Sequence, residues 1–385
     1  MLGFKILVSA GEASGDLYAA SLVERLRRDI PGLECFGCAG PRMREVGVRA
    51  VVRAEELAVV GLVEVIAHIP RIYGLFCRLM AAARAEKPDL AILADSPDFH
   101  LRFAARLKRF GIPVVGLVAP QVWAWRPWRI HTIRRNIDRL LCIFPFEEEY
   151  FRRRGVRAYY IGHPLAQMVK ASTTRSEYFA RHRLPEAPLV ALLPGSRAGE
   201  IRRHVPVLLD AVARMRAWGR LGFVLALPAG LAPACTAPVR QQAEPAGVVV
   251  TESGAWDALA HADLALAASG TVTIEAALLG TPLIAFYRVA PLSWWIGRPL
   301  VRVPFLSMVN LVAGRRIIPE LMQNEVTGQR LAEEALGLLA RPEARAAMRR
   351  ELGDVAQRLS PPADAMVRAS SIVQALLLQG ALHVE

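Results

Sequence analysis

The sequence predicts an α/β protein made of two doubly wound domains, each built on a parallel sheet. Three observations predict it. The chain has 385 residues and 53% hydrophobic content, more than one core ordinarily organises. It opens with an apolar run, Phe4-Lys-Ile-Leu-Val-Ser9, a turn, Ala10-Gly-Glu-Ala-Ser-Gly-Asp16, and a helical stretch from about Leu17 to Asp29. That is the strand–turn–helix start of a doubly wound domain, which binds ligands at the C-terminal ends of its strands. The second half repeats short apolar runs between helical segments: Leu189–Leu193, Gly222–Leu227, Gly247–Val250, Ala262–Ala267 and Pro282–Phe286. Such alternation argues for a second parallel sheet.

Composition narrows the partners. The net charge is +13 and the pI about 10.2, which points to an anionic partner: nucleic acid, an anionic membrane surface or a phosphorylated substrate. Met1-Leu-Gly-Phe-Lys leads straight into the first strand, so no secretory signal is expected. The longest uncharged run, Leu221 to Val239, is broken by Pro228, Pro233 and Pro238 and reads as a buried strand and a loop, not a membrane span. Five cysteines fit a reducing compartment, and Cys35-Phe-Gly-Cys38, in a strand-like segment with no second such pair, reads as a buried structural pair.

In chain order, the first turn carries Glu12 and Asp16, whose charge suits sugar hydroxyls or proton transfer better than phosphate; Asp16 is equally a helix cap. Leu57 to Phe76 is very apolar and interrupted by Pro70. It is either a core helix pair or an exposed patch for a membrane or acyl chain through Ile69, Ile72, Leu75 and Phe76. Leu90–Ala94 is a strand ending in Asp95-Ser-Pro-Asp98-Phe-His100, where a carboxylate can act as a general base; Asp98 is also placed to cap the helix that follows. After the strand Val114–Val118 comes Trp123-Ala-Trp-Arg-Pro-Trp-Arg129, followed by further arginines. From Arg102 to Arg157 there are thirteen Lys+Arg against four Asp+Glu. Such a block can serve single-stranded nucleic acid, anionic lipid or a phosphorylated sugar, though no nucleic-acid-binding signature accompanies it. Leu140–Phe144 is a further strand, and Tyr159 to Leu165 links the halves, with His163 in it read as structural.

In the second half, Pro194-Gly-Ser196-Arg197 after one strand and Ser269-Gly270-Thr271 after another are phosphate-type turns that open helices. Arg197 adds a guanidinium, and Glu275 stands one turn into the second helix. Two such turns suggest a nucleotide-diphosphate site. Pro291 to Phe305, with Trp294 and Trp295, is either an interfacial membrane segment or core. No metal-ligand motif stands out in the sequence.

Five motifs in order, Ala10-Gly-Glu-Ala-Ser-Gly-Asp16, Pro120 to Arg129, Leu193-Pro-Gly-Ser-Arg197, Ser269-Gly-Thr271 through Glu275, and Asn310-Leu-Val-Ala-Gly-Arg-Arg316 before Pro319-Glu-Leu321, resemble the lipid-A-disaccharide synthase family over nearly the whole chain. Ala198-Gly199 and the Cys35/Cys38 pair depart from its pattern. The resemblance implies a GT-B fold: two Rossmann-like domains facing across a cleft, with a C-terminal helix crossing back to the first. It implies domains over 1–165 (acceptor-binding, membrane-facing), 166–345 (UDP-sugar-binding) and 346–385 (helices packing back). It further implies inverting transfer of 2,3-diacylglucosamine from UDP-2,3-diacylglucosamine to 2,3-diacylglucosamine 1-phosphate. Asp98 is then the first choice of base and Glu12 the second. Ser196, Arg197, Ser269, Gly270, Thr271 and Glu275 hold UDP, while Ser14, Asp16, Trp123, Arg126, Arg129 and Asn310 contact sugar or acceptor. Cofactors and metal are not expected. Partners are the two substrates and the anionic inner-membrane surface at its cytoplasmic face, with a homodimer possible and nucleic acid not expected. Another GT-B enzyme (a UDP-N-acetylglucosamine 2-epimerase or the peptidoglycan glycosyltransferase) is the nearest rival, and a basic nucleic-acid-binding protein a more distant one.

Overall fold

The computed structural model describes residues 3–57, 62–290, 294–295, 303–361 and 363–381. The chain divides into two compact units, the first containing Met1–Pro164 and the segment from Pro361, the second Leu165–Pro299 and Val303–Ser360.

The first unit is built on strands β1 (Lys5–Ala10), β2 (Glu34–Ala39), β3 (Arg49–Arg53), β4 (Leu90–Ala94), β5 (Val114–Leu117), β6 (Arg139–Cys142) and β7 (Ala158–Tyr160). All pairings are parallel, in the order β3-β2-β1-β4-β5-β6-β7. Central strands such as β4, Leu-Ala-Ile-Leu-Ala, are buried along their whole length, so both faces are apolar and no alternation is visible. The chain winds outward from β1 to β3, then in the opposite sense from β4. The order therefore reverses between β1 and β4, and the crevice for a ligand lies at their C-terminal ends.

The apolar stretch begins at the end of a short helix, Ala54–Leu57, and from Leu62 runs in the helix Leu62–Glu86, with Pro70 inside it. Residues 58–61 lie outside the described residues. Leu75, Leu79 and Ala83 are buried in the core, and Phe76 packs edge-on against Phe99 and Phe103 at 5.7 Å from each. Leu75 and Phe76 are thus core residues, contrary to the membrane-contact expectation, because one face of the helix closes the sheet. Ile69 (54% exposed) and Tyr73 (66%) face outward, and Ile72 is half-buried. Of the segment 291–305, residues 291–293 and 296–302 lie outside the described residues; Trp294 is half-buried and Trp295 exposed. Among the described residues no helix is long and apolar enough to cross a membrane.

The second unit carries β8 (Leu189–Leu193), β9 (Gly222–Leu227), β10 (Val249–Glu252), β11 (Leu264–Ala268), β12 (Leu283–Tyr287) and β13 (Glu320–Met322). They form a second parallel sheet in the order β10-β9-β8-β11-β12-β13, with the reversal between β8 and β11. The helix Pro342–Leu359 stays with this unit through a buried face of Met348, Leu352, Val355 and Leu359. The expected boundary at 346 therefore falls inside a helix, and only the chain from Pro361 returns to the first unit. There the helix Ala365–Ala381 lies on the helix Ala13–Asp29, where Ser370 Oγ (2.7 Å) and Gln374 Nε2 (3.1 Å) donate to Asp29. Cys35 and Cys38 are free and buried in β2, where burial pushes their thiols up to about 11 and about 12. Both are neutral and inert, as a structural pair should be.

Candidate active site

At the first reversal point, the turn after β1 is tied to the end of β4. Asp95 accepts the backbone N–H groups of Gly11 and Glu12, one on each carboxylate oxygen, both at 3.0 Å. The approach is so close that a Cβ at Gly15 would stand 1.6 Å from Asp95 Oδ2, so only glycine fits there. Burial is the main reason the Asp95 carboxyl is pushed up to about 7, and the nearby Glu12 carboxylate adds to it. A cavity of about 20 Å³, space for a single water, lies beneath it among Leu93, His100, Val118, Pro120 and Ile133.

His100 holds the Asp95 backbone. Its Nδ1 donates to the Asp95 carbonyl (2.9 Å), which leaves Nε2 to accept from the Ser9 hydroxyl (2.8 Å). Full burial pushes the imidazole down to about 4, so it is neutral at pH 7. Non-glycine residues with left-handed backbone gather here. Asp95, Ser96, Val118 and Arg126 are four of the eight such residues described, and Val118 is β-branched. Strain concentrated at strand ends is a mark of a functional site.

Asp98 projects from the first turn of the helix Pro97–Arg109 with 65% of its side chain exposed. It is ion-paired with Arg126 (3.1 Å) and with Arg129. Glu12 is exposed at the head of the helix Ala13–Asp29, with Ser14 half-buried beside it. Two expectations are corrected. Asp16 is buried and accepts the N–H groups of Arg42 (2.9 Å) and Met43 (3.2 Å), so it caps the helix Pro41–Glu45 and is not presented to a sugar. Trp123 is half-buried, donates its indole N–H to Glu147 (3.1 Å) and packs edge-on against Phe146. The exposed indoles of that loop are Trp125 and Trp128. Glu147 is buried with its carboxyl pushed up to about 8, chiefly by desolvation, and also accepts the N–H groups of Ile143 and Phe144. His163 is buried against Tyr18 and Phe144 and pushed down to about 3, a structural residue as read.

In the second unit, β8 pairs with β11 with Leu193 opposite Ala267, so the two phosphate-type turns leave neighbouring strand ends. The first turn differs from expectation. The N–H groups of Ser196 (3.0 Å) and Arg197 (3.3 Å) already donate to Glu200 of the same helix, a carboxylate at the third helical position reaching back over the helix start. Gly195 at φ +116° makes room for that carboxylate, and the Tyr287 hydroxyl donates to it at 2.9 Å. Ser196 therefore does not offer its N–H, whereas the half-exposed Arg197 side chain, 3.5 Å from Glu200, stays at the mouth. Ser269 is also engaged, donating its N–H to Phe286 O (2.8 Å) and its hydroxyl to Leu306 O (3.2 Å). Gly270 and Thr271 are exposed, with open space over Gly270 at the start of the helix Thr271–Leu278. Glu275 is half-buried with its carboxyl pushed up by desolvation, against a hydrogen bond from Trp256.

Asn310 is fully buried and all its polar capacity is internal. Its amide NH2 donates to Ile318 O (3.1 Å) and Glu320 (2.8 Å), and its oxygen accepts from the N–H groups of Ile317 (2.7 Å) and Ile318 (3.1 Å). Glu320 in turn accepts from Leu306 N and from Ser307 N and Oγ. The motif Asn310 to Leu321 is thus a clasp that fastens β13, and Asn310 is not available to a sugar. The residue that sequence reading left out is Asp95. Its signal was present, an acidic residue directly after a buried strand and two before a proline, but Asp98, three positions on in the same turn, was read as the carboxylate of that turn.

Two Rossmann-like units, each with a strand-order reversal in its parallel sheet, define the GT-B fold. Solved structures share that fold. The UDP-GlcNAc 2-epimerase from Neisseria meningitidis bound to UDP-GlcNAc matches with a TM-score of 0.61 at 14% identity, over 98% of this chain and 100% of that one. The calicheamicin glycosyltransferase CalG4 matches with 0.60 at 16%, over 98% and 99%. Sequence is more specific. The lipid-A-disaccharide synthetase family model matches residues 6–367. The lipid-A-disaccharide synthase of Solibacter usitatus is 56% identical across 99% of both chains, and that of Myxococcus xanthus 42% across 97% of both. The chain belongs to the lipid-A-disaccharide synthase family.

Proposed function

We propose that this chain transfers 2,3-diacylglucosamine from UDP-2,3-diacylglucosamine to the 6-hydroxyl of 2,3-diacylglucosamine 1-phosphate, forming the β-1,6 disaccharide 1-phosphate and UDP. The observation that carries the reading is the family match over residues 6–367. The acceptor is assigned to the first unit and UDP to the second.

In this proposal the base is Asp95, not Asp98. A general base works best with a pKa near the working pH, and Asp95, pushed up to about 7, is so placed at the reversal point. Asp98 is occupied by two guanidiniums. Asp95 takes the proton of the acceptor hydroxyl. The oxygen attacks C1 of the donor sugar from the face opposite UDP, and the C1–O bond breaks with its electron pair passing to the diphosphate. Arg197 and the N-terminus of the helix Thr271–Leu278 stabilise that charge. Glu275 holds the ribose hydroxyls, and Glu12 orients the acceptor beside Asp95. No step is routed through a metal or cofactor. Ile69 and Tyr73, with the basic surplus of the chain, seat the protein on an anionic bilayer surface, the cytoplasmic face of the inner membrane; a homodimer is compatible with this placement.

The test is UDP release. With both lipid sugars in detergent micelles, UDP forms in step with disaccharide; with the donor alone it does not. Release from the donor alone, or none with both substrates, refutes the reading.

A further inference from the structure

One cluster in the first unit is not used by the chemistry above. Arg126 and Arg129 converge on Asp98, through contacts of 3.1 and 3.3 Å from Arg126 Nη1 to the two carboxylate oxygens and a contact from Arg129 Nη2. The Arg126 guanidinium lies over the Trp125 ring at 4.1 Å, and that of Arg129 stands 5.9 Å from the same ring. Arg126 sits in a left-handed conformation (φ +55°) ahead of Pro127, which fixes the direction in which its side chain leaves the chain. Arg129 is only 15% exposed, whereas the carboxylate it holds is 65% exposed. So the cations are held beside an indole and by a rigid turn, and the anion that joins them is the most exposed member of the cluster. One carboxylate against two guanidiniums leaves the cluster net positive. Planar guanidiniums match the oxygens of a phosphate as they do those of a carboxylate, and a phosphate monoester offers two converging guanidiniums a third oxygen and a second negative charge.

We infer that Arg126 and Arg129, on the Trp125 platform, are the recognition site for a phosphate monoester on the acceptor sugar, and that Asp98 is the resident anion which that phosphate displaces. This rests on the transferase reading and adds what selects the acceptor. A plain structural ion pair would not need a strained arginine and an indole beside two cations, nor would it stand at the strand ends where ligands bind.

The test compares two acceptors in the full-length protein: 2,3-diacylglucosamine 1-phosphate and the same sugar without its phosphate. The wild-type preference for the phosphorylated acceptor, taken as the ratio of kcat/KM values, is expected to fall at least tenfold in Arg126→Met and in Arg129→Met. Asp98→Asn is expected to lower the KM for the phosphorylated acceptor several-fold, because the competing anion is gone, and to tighten binding of glucosamine 1-phosphate followed by Trp125 fluorescence. Equal loss of kcat/KM for both acceptors in the arginine variants overturns the inference, as does a raised KM in Asp98→Asn. A collapse of kcat in Asp98→Asn with KM unchanged also overturns it and returns the base to Asp98. If wild-type protein releases no UDP with either acceptor, it is the transferase reading that has failed.

Discussion

Asp95 and Asp98 stand three positions apart on one strand-to-helix turn, and their surroundings give them different properties. Asp95 is desolvated and near neutrality, pushed up to about 7; Asp98 is exposed and doubly ion-paired. The sequence marks both as carboxylates after a strand, but which one is desolvated depends on Gly11 and Gly15, in the turn and helix that follow β1, closing over it. A base must be deprotonated to act. The wild-type kcat/KM should therefore rise with pH to a plateau above about 7, and Asp95→Asn should lose a factor of about 10² to 10⁴ in kcat with that limb. Retained turnover with an unchanged pH profile would remove Asp95 from the role. Linkage gives a second check. The folded-state pKa of Asp95 lies above its usual 3.8, so its stability contribution is complete below that value and is lost as pH rises through about 7. His100 runs the other way: its pKa falls from 6.5 to about 4, so its contribution is present above 6.5 and is lost as pH falls toward 4. Asn310 belongs to this scale too. Its replacement by alanine leaves the N–H groups of Ile317 and Ile318 and one bond to Glu320 unmet, which should cost about 3 kcal/mol in denaturant titration. A sugar-binding residue would raise a KM with stability unchanged.

Among the elements, the strands that the sequence does not announce are β3, β7 and β13, and each is an edge of its sheet. Edge strands are short and half-solvated: Arg49-Ala-Val-Val-Arg53 has charged ends, and β7 and β13 have three residues each. The interior strands read clearly because burial on both faces forces unbroken apolar runs. The phosphate-type turn at Gly195 shows the opposite failure. Its residues were legible, but Glu200, which closes the helix start, looks in the sequence like any surface carboxylate. From Ile69 on, the helix Leu62–Glu86 divides by face in a way its apolar run does not show. Replacing Ile69 and Tyr73 together by serine should weaken binding to anionic liposomes several-fold with little change in melting temperature. Leu75→Ala should cost about 2 to 5 kcal/mol in stability instead. Unchanged liposome binding in the double variant would detach that face from the membrane.

For the whole molecule, two doubly wound sheets were legible in the strand–helix alternation, and the return of the last helix to the first unit followed from the family resemblance that the ordered motifs carry. The helix Pro342–Leu359 was misassigned because its partner face cannot be read from a charged, alanine-rich sequence. In the proposed reaction the +13 charge serves an acceptor phosphate and an anionic surface. The most direct measurement is the product itself. Purified protein is given isotopically labelled UDP-2,3-diacylglucosamine and 2,3-diacylglucosamine 1-phosphate, and the products are followed by NMR and mass spectrometry. The expected result is one UDP per β-1,6-linked disaccharide 1-phosphate, with inversion at the labelled C1. Epimerised or hydrolysed donor with no disaccharide would contradict the account.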